Sequence, residues 1–344
     1  MPPFPARASA PPPHPPSAST AAPTPRPGKP LVVRLRNWVG DVVLSVPTLQ
    51  RLEAAGFDLH LIGKGWAQDL LAGFGWSVHK LPQGHLDRLR QLRGLHRALG
   101  ARGQSAVGLA FPYSFSSALE MWLAGLRPTG FAYEGRSLLL RQAVPRPRGL
   151  HTLEEYWALG NAFLQVAAPV PSRIGWRAHP GALAKASDLQ ARYHLQPGFV
   201  LACPFAGGTF ETQNKRWPAF AMFIDRLITD TGRQVVLCPG PGAEVQEAHR
   251  DHPKAVVLEG VGMGTYAALM RVAALVVSND TGPGHLAAAV EAPLLSVLGP
   301  TDPDLWRPWG PTVQIERHWP RWPTVDEVLA RTQQILEASP LPSV

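Results

Sequence analysis

The chain has 344 residues, 45% of them hydrophobic, with a formal net charge of +8 at pH 7. That length and composition allow two α/β domains of ordinary size and exclude a chain too polar to build a core. No stretch reaches the ~18 uninterrupted apolar residues of a membrane span, and two cysteines without CxxC spacing exclude a disulfide scaffold.

Residues 1–28 are rich in Pro, Ala and Ser without apolar periodicity and read as a disordered leader. They lack the apolar centre of a secretory signal, so the chain is expected in the cytoplasm. The run 31–35 predicts a buried strand, and Val43, Val46, Leu49 and Leu52 predict a helix over 42–55. Gly40-Asp41 stands at the handover between them, where open α/β sheets bind ligands. An aspartate there is also a good helix cap, so the position alone does not decide its role.

A strand follows at 58–63, then the arginine-rich helical stretch "HLDRLRQLRGLHRALGARG" with Leu86, Leu89, Leu92 and Leu99 on one side. Strand 105–111, helix 115–124, a segment at 128–133 and the helix "HTLEEYWALGNAFLQVA" complete the first half. Residues 85–148 hold ten Arg and no Lys, against Asp87, Glu120 and Glu134. Such a surplus attracts an anionic partner, although a solvated helix face accounts for much of it equally well.

Residues 169–182 carry three Pro and two Gly without pattern and read as the linker. Beyond it, strands at 198–203, 234–238, 255–258, 274–278 and 293–298 alternate with helices at 217–229, 243–250, 265–272 and 282–290. Cys203 and Cys238 end two of these strands and are expected buried and reduced. A last helix, 324–338, is a candidate to pack back on the first half. Alternation of this kind argues for parallel sheets covered on both faces. The predicted fold is α/β, with two doubly wound domains, 29–172 and 173–344, facing a cleft.

The chemistry concentrates at strand ends. A buried strand ends at Asn279-Asp280, Thr281-Gly282 opens a helix, and His285 lies one turn inside it. Free amides and the helix dipole make that helix end an anion site. "PFAGGTFETQNKRWP" delivers Lys215, one of only six lysines against 27 arginines, beside a Gly-containing loop. A lysine there suits a phosphate as a mobile point charge. "VLCPGPGAE" brings Glu244 to the same edge, able to accept from ribose hydroxyls.

Gly40-Asp41 with Pro47, Lys215-Arg216-Trp217-Pro218, Asp280-Thr281-Gly282-x-x-His285 and Gly299-Pro300-Thr301 occur in that order. Over roughly residues 31–310 this combination resembles the ADP-heptose–lipopolysaccharide heptosyltransferases of glycosyltransferase family 9. The resemblance implies a GT-B fold of two Rossmann-like domains, the acceptor on the first and the nucleotide sugar on the second. It implies inverting transfer from ADP-heptose to the inner core of lipopolysaccharide, with no bound metal and no cofactor beyond the donor itself.

Carried over, Asp41 matches the catalytic base, with Gly40 and Trp38 on the acceptor side. Lys215 matches the lysine at the donor's phosphates and sugar and is the second catalytic candidate. Thr209 and Thr212 stand near the family's phosphate-binding hydroxyls, Glu244 matches the acidic residue near the ribose, and Asp280, Thr281, Gly282 and His285 match the donor loop. The expected partners are ADP-heptose or a related nucleotide sugar and an anionic lipopolysaccharide core acceptor, with peripheral contact at the inner membrane face. No nucleic-acid motif accompanies the basic charge. Another nucleotide sugar or surface glycan, or a sugar-nucleotide-binding protein without catalysis, stands as the alternative.

Overall fold

The computed structural model describes residues 28–101, 106–207, 209–210 and 212–338. Of the leader expected at 1–28, all but Gly28 lies outside these residues.

The first half runs β1 (Lys29–Arg34), α1 (Val39–Ala54), β2 (Phe57–Gly63), α2 (Trp66–Leu70), β3 (Ser77–Lys80), α3 (His85–Gly100), β4 (Val107–Ala110), α4 (Phe115–Leu123), β5 (Pro128–Ala132), β6 (Gln142–Pro145) and α5 (Thr152–Leu164). Its six strands are all parallel, in the order β3-β2-β1-β4-β5-β6. Leu31 and Val33 of β1 face one apolar cluster and Val32 faces another. An unbroken apolar run is what a strand covered on both faces requires.

The second half repeats the plan. It begins with α6 (Pro180–Arg192) and β7 (Val200–Cys203), followed by the small hairpin β8 (Thr209–Phe210) and β9 (Gln213–Asn214). Then come α7 (Phe220–Thr231), β10 (Val235–Leu237), α8 (Ala243–Asp251), β11 (Val256–Val257), α9 (Met263–Val272), β12 (Leu275–Asn279) and α10 (Gly282–Ala289). It closes with β13 (Leu294–Val297), α11 (Pro303–Trp306), β14 (Val313–Glu316) and α12 (Val325–Ala338). The second parallel sheet has the order β11-β10-β7-β12-β13-β14. Both sheets thus reverse direction beside their first strand, at β1/β4 and β7/β12. Ligands bind outside the carboxyl ends of such strands, and Asp41, Lys215 and Asp280 follow β1, β7 and β12.

The two halves are closely joined. Helix α1 packs on α10 and α2 on α9. One apolar cluster passes through the seam, with Val46 and Leu49 of the first half and Leu201, Val276 and Leu286 of the second. Asp69 of α2 accepts a hydrogen bond from the Gly264 amide at the start of α9, at 2.9 Å. The connection between α5 and α6 lies along this seam, where the Trp176 indole donates to Leu70 O at 2.8 Å.

The last helix departs from expectation. Val328, Leu329 and Ile335 of α12 join Phe223, Ile224 and Leu227 of α7, so α12 covers its own sheet and does not cross to the first half. The apolar face of α7 is its natural partner. Helix α6 also begins inside the expected linker, at Pro180, with the His179 side chain accepting from the Gly181 amide. Both cysteines are free; Cys203 is buried as expected, whereas Cys238 is half-buried.

Candidate functional site

Helix α1 begins at Val39, three residues earlier than its apolar spacing suggests, so Asp41 lies in the first turn. The N-cap is Trp38, and it makes no side-chain capping bond. The Asp41 carboxylate serves other groups. Its Oδ1 accepts from Arg36 Nη1 at 2.8 Å and from the Tyr156 hydroxyl at 2.9 Å. Tyr156 comes from α5, which packs along α1, and is fully buried. Burial pushes the Asp41 carboxyl above its ordinary value, while the Arg36 charge, the Tyr156 bond and the Lys215 charge oppose that rise. With Oδ1 occupied, Oδ2 is the carboxylate oxygen left to accept from a further group.

Across the cavity, Lys215 Nζ lies 2.9 Å from Asp280 Oδ2, and the buried Thr301 hydroxyl donates to that same oxygen. Asn279 fixes the loop that carries the lysine. Its Oδ1 accepts from the Trp217 amide at 2.9 Å and its Nδ2 donates to Pro204 O at 2.6 Å. The end of β12 therefore clamps both sides of the segment between β7 and α7. Thr281, the N-cap of α10, makes no side-chain capping bond, which leaves the first amides of that helix without a side-chain acceptor.

The helix ends of the two halves meet through glycines. A Cβ on Gly40 would lie 2.7 Å from the His285 ring, and one on Gly282 would lie 2.7 Å from Val39 Cβ. Only glycine permits this approach. His285 is buried with Nδ1 unpartnered among the described residues. Burial pushes its imidazole down to about 4, so it is neutral at pH 7. The space enclosed has a volume of about 470 Å³, with Trp38, Asp41, Lys215, Asp280, His285 and Trp306 on its walls. Among the described residues, no group of three or more His, Cys, Asp or Glu is placed to hold a metal ion.

Most of the expected site is brought together. Trp38, Gly40, Asp41, Lys215, Asp280, Thr281, Gly282 and His285 all line this one cavity. Glu244 does not; its Oε2 accepts from the Gly240 amide at 2.7 Å and closes its own loop. Thr212 is exposed in the turn of the β8–β9 hairpin, away from the cavity wall. Thr209 stands in β8, and its side chain lies outside the described residues. Sequence reasoning passed over Arg36, Tyr156 and Trp306. Only Arg36, five residues before Asp41, carried a local signal.

A family model described as glycosyltransferase family 9 (heptosyltransferase) matches residues 92–333. The chain belongs to glycosyltransferase family 9. This family 9 glycosyltransferase is 26% identical over 294 residues to lipopolysaccharide heptosyltransferase 2 of Escherichia coli K12, covering 79% of the chain and 83% of that protein. Against lipopolysaccharide heptosyltransferase 3 of the same strain, identity is 35% over 136 residues, or 36% of the chain and 38% of that protein. Among solved structures, E. coli ADP-heptose lps heptosyltransferase II matches with a TM-score of 0.71 at 24% identity, covering 90% of the chain and 98% of its own. E. coli heptosyltransferase WaaC with ADP gives 0.69 at 20% identity, covering 89% and 99%. The family 9 chain shares the GT-B fold of these neighbours, with two Rossmann-like domains facing a cleft.

Proposed function

We propose that this family 9 glycosyltransferase moves heptose from ADP-heptose to an anionic acceptor of the lipopolysaccharide inner core, with inversion. The observation that carries the reading is an opposition across one cavity. A buried carboxylate on the first half faces a lysine and an open helix end on the second.

In this reading Asp41 Oδ2 takes the proton of the acceptor hydroxyl while Arg36 and Tyr156 hold Oδ1. The acceptor oxygen bonds to the anomeric carbon from the side opposite the diphosphate. The carbon–oxygen bond to the diphosphate breaks, and ADP leaves with its electron pair. Lys215 and the first turn of α10 lie where that negative charge develops, which lowers the barrier selectively. Asp280 holds the lysine until phosphates compete for it. Thr209, Thr212 and Glu244 belong to the donor side by resemblance, since all three stand on segments leaving β7 and β10 at that edge. A solved relative is described as E. coli heptosyltransferase WaaC with ADP-2-deoxy-2-fluoro heptose, which supports the donor.

A second cavity of about 320 Å³ shares Trp306 with the first and carries Arg148, Tyr133 and Arg146, the last paired with Glu155 at 3.0 Å. It supports an acceptor bearing carboxylates or phosphates. An acceptor of that class is borne on a lipid, which goes with peripheral contact at the inner membrane face.

The test is transfer to a de-acylated lipopolysaccharide core, with ADP-heptose set beside UDP- and GDP-sugars, read by mass spectrometry and anomeric NMR. A heptosylated product of inverted configuration from ADP-heptose is expected. Preference for a UDP- or GDP-sugar, or retention of configuration, overturns the proposal.

A further inference from the structure

The segment between β4 and α4 carries Tyr113, whose side chain stays off the walls of the Asp41 cavity. It is half-buried, and its backbone is pinned on both sides. Fully buried Arg136 donates to Pro112 O and, at 3.4 Å, to Ser114 O. The side chain is fixed as well. Its hydroxyl donates to Glu155 Oε2, and that buried carboxylate also accepts from Arg146 Nε at 3.1 Å. Burial pushes the hydroxyl above its ordinary value, so it keeps its proton and remains the donor.

The ring so held supports the guanidinium that serves Asp41. Arg36 Cζ lies 4.6 Å from the centroid of the Tyr113 ring, and Arg146 Cζ lies 4.2 Å from it. An aromatic ring attracts cations placed this close. Arg36 has need of such support. Its side chain is 21% exposed, and its bond to Asp41 Oδ1 runs through one nitrogen, Nη1. A long side chain held at one atom keeps many rotamers open to it, and a ring against the guanidinium removes most of them. Glu155 and Tyr156 are consecutive in α5. One turn of that helix therefore anchors Tyr113 and also shares Asp41 with Arg36.

We propose that Tyr113 is a positioning residue for the base: its ring holds the Arg36 guanidinium on Asp41 Oδ1. It lines neither of the two cavities and acts through Arg36. The groups that face the Asp41 carboxyl are Arg36 from the segment after β1, Tyr156 from α5 and Lys215 from the second half. Arg36 opposes the effect of burial most strongly. Removing the ring loosens that guanidinium, so the carboxyl climbs and takes up its proton at higher pH. The kinetic consequence rests on the reading of Asp41 as base; the hold on Arg36 does not.

Two readouts on the full chain test it: the pH–rate profile of transfer, and titration of Asp41 by carboxyl carbon NMR, with Asp41→Asn marking the signal. In Tyr113→Leu the titration and the acid limb should both move up by about half a pH unit or more. Turnover at saturating substrates should fall about tenfold, with ADP affinity parental. Tyr113→Phe keeps the ring and should restore most of both. In an Arg36→Gln background, Tyr113→Leu should add no further movement. Tyr113→Met fills more of the same space and replaces the leucine variant if that one melts below the assay temperature. A merely structural role would lower the melting temperature and leave the titration where it was. A parental titration in Tyr113→Leu, a Tyr113→Phe that shifts as far, or an added shift on Arg36→Gln overturns the inference. Movement of the titration without movement of the pH–rate profile would sink the base proposed above and leave this role of Tyr113 standing. A parental titration beside transfer abolished by Asp41→Asn would do the reverse.

Discussion

Gly40 lies against the imidazole of His285 across the seam, so close that a Cβ on Gly40 would stand 2.7 Å from the ring. The ring is buried and cannot turn aside into water. Gly40→Ala should therefore push α1 and α10 apart and move Asp41 away from Lys215. Overpacking of this kind costs about 1–3 kcal/mol. We expect a lowered melting temperature and slower transfer, with ADP affinity much less affected. A variant that melts and turns over like the parent would show that the working enzyme holds these helices further apart.

Asp41→Asn preserves shape and can still accept from Arg36 and Tyr156, but it cannot take a proton. Loss of a general base costs roughly a hundredfold to ten-thousandfold in rate. ADP affinity should be parental, because the proposed reaction puts the donor on the other half. No cap is lost, since Trp38 occupies that position. Burial raises the Asp41 carboxyl, so its ionised form at neutral pH opposes folding, and that cost disappears as pH falls through the raised value. The variant should thus be at least as stable as the parent at pH 7. Parental turnover would remove Asp41 from the mechanism.

The groups that oppose the rise in Asp41 rank as the Arg36 charge, then the Tyr156 bond, then the Lys215 charge. Removing each lets the carboxyl climb, which moves the acid limb of the pH–rate profile toward higher pH. The shift should be larger for Arg36→Gln than for Tyr156→Phe. A reversed order, or no movement in either, would mean that neither residue tunes the base.

Lys215→Ala leaves Asp280, among the described residues, with the Thr301 hydroxyl alone. A charged contact to phosphate is worth about 1.5–3 kcal/mol, so ADP affinity should fall roughly tenfold to a hundredfold. Calorimetric titration with ADP measures it directly. Undiminished affinity would place the phosphates elsewhere.

His285 is held down to about 4 by burial, against an ordinary value of 6.5. The unfolded chain takes up that proton first, so stability present at neutral pH is lost as pH falls from about 6.5 toward 4. The full effect is about 3 kcal/mol. His285→Gln should flatten the pH dependence of the melting temperature in that window. An unchanged slope in the variant would mean that His285 is reached by water.

Much of the arrangement is legible in the sequence because central strands announce themselves. β1, β7, β12 and β13 are built on the short apolar runs 31–33, 200–203, 275–277 and 294–295, and residues of the segments that follow them line the cavity. The edge strands β3, β6 and β14 are partly exposed along their length and carry no such run. Tyr156 is invisible for another reason. It looks like any core aromatic of a helix, and only the packing of α5 along α1 brings its hydroxyl to Asp41. The arginine surplus also misleads in part: Arg136 is fully buried, bonded to the carbonyls of Phe131 and Pro112, and pushed down to about 10 by burial. Its charge serves the loop rather than a partner.

The bond between Asp69 and the Gly264 amide gives the closed arrangement a preference of its own. Helix α9 has glycine at its N-cap and no side-chain cap from its own half. The carboxylate that would normally come from the preceding residue is supplied by the neighbouring domain. Drawing the halves apart would strip that helix of its cap, a penalty of about 1 kcal/mol. Separating the halves would therefore be uphill at this one contact, and protection of the Gly264 amide from exchange measures how firmly it is held.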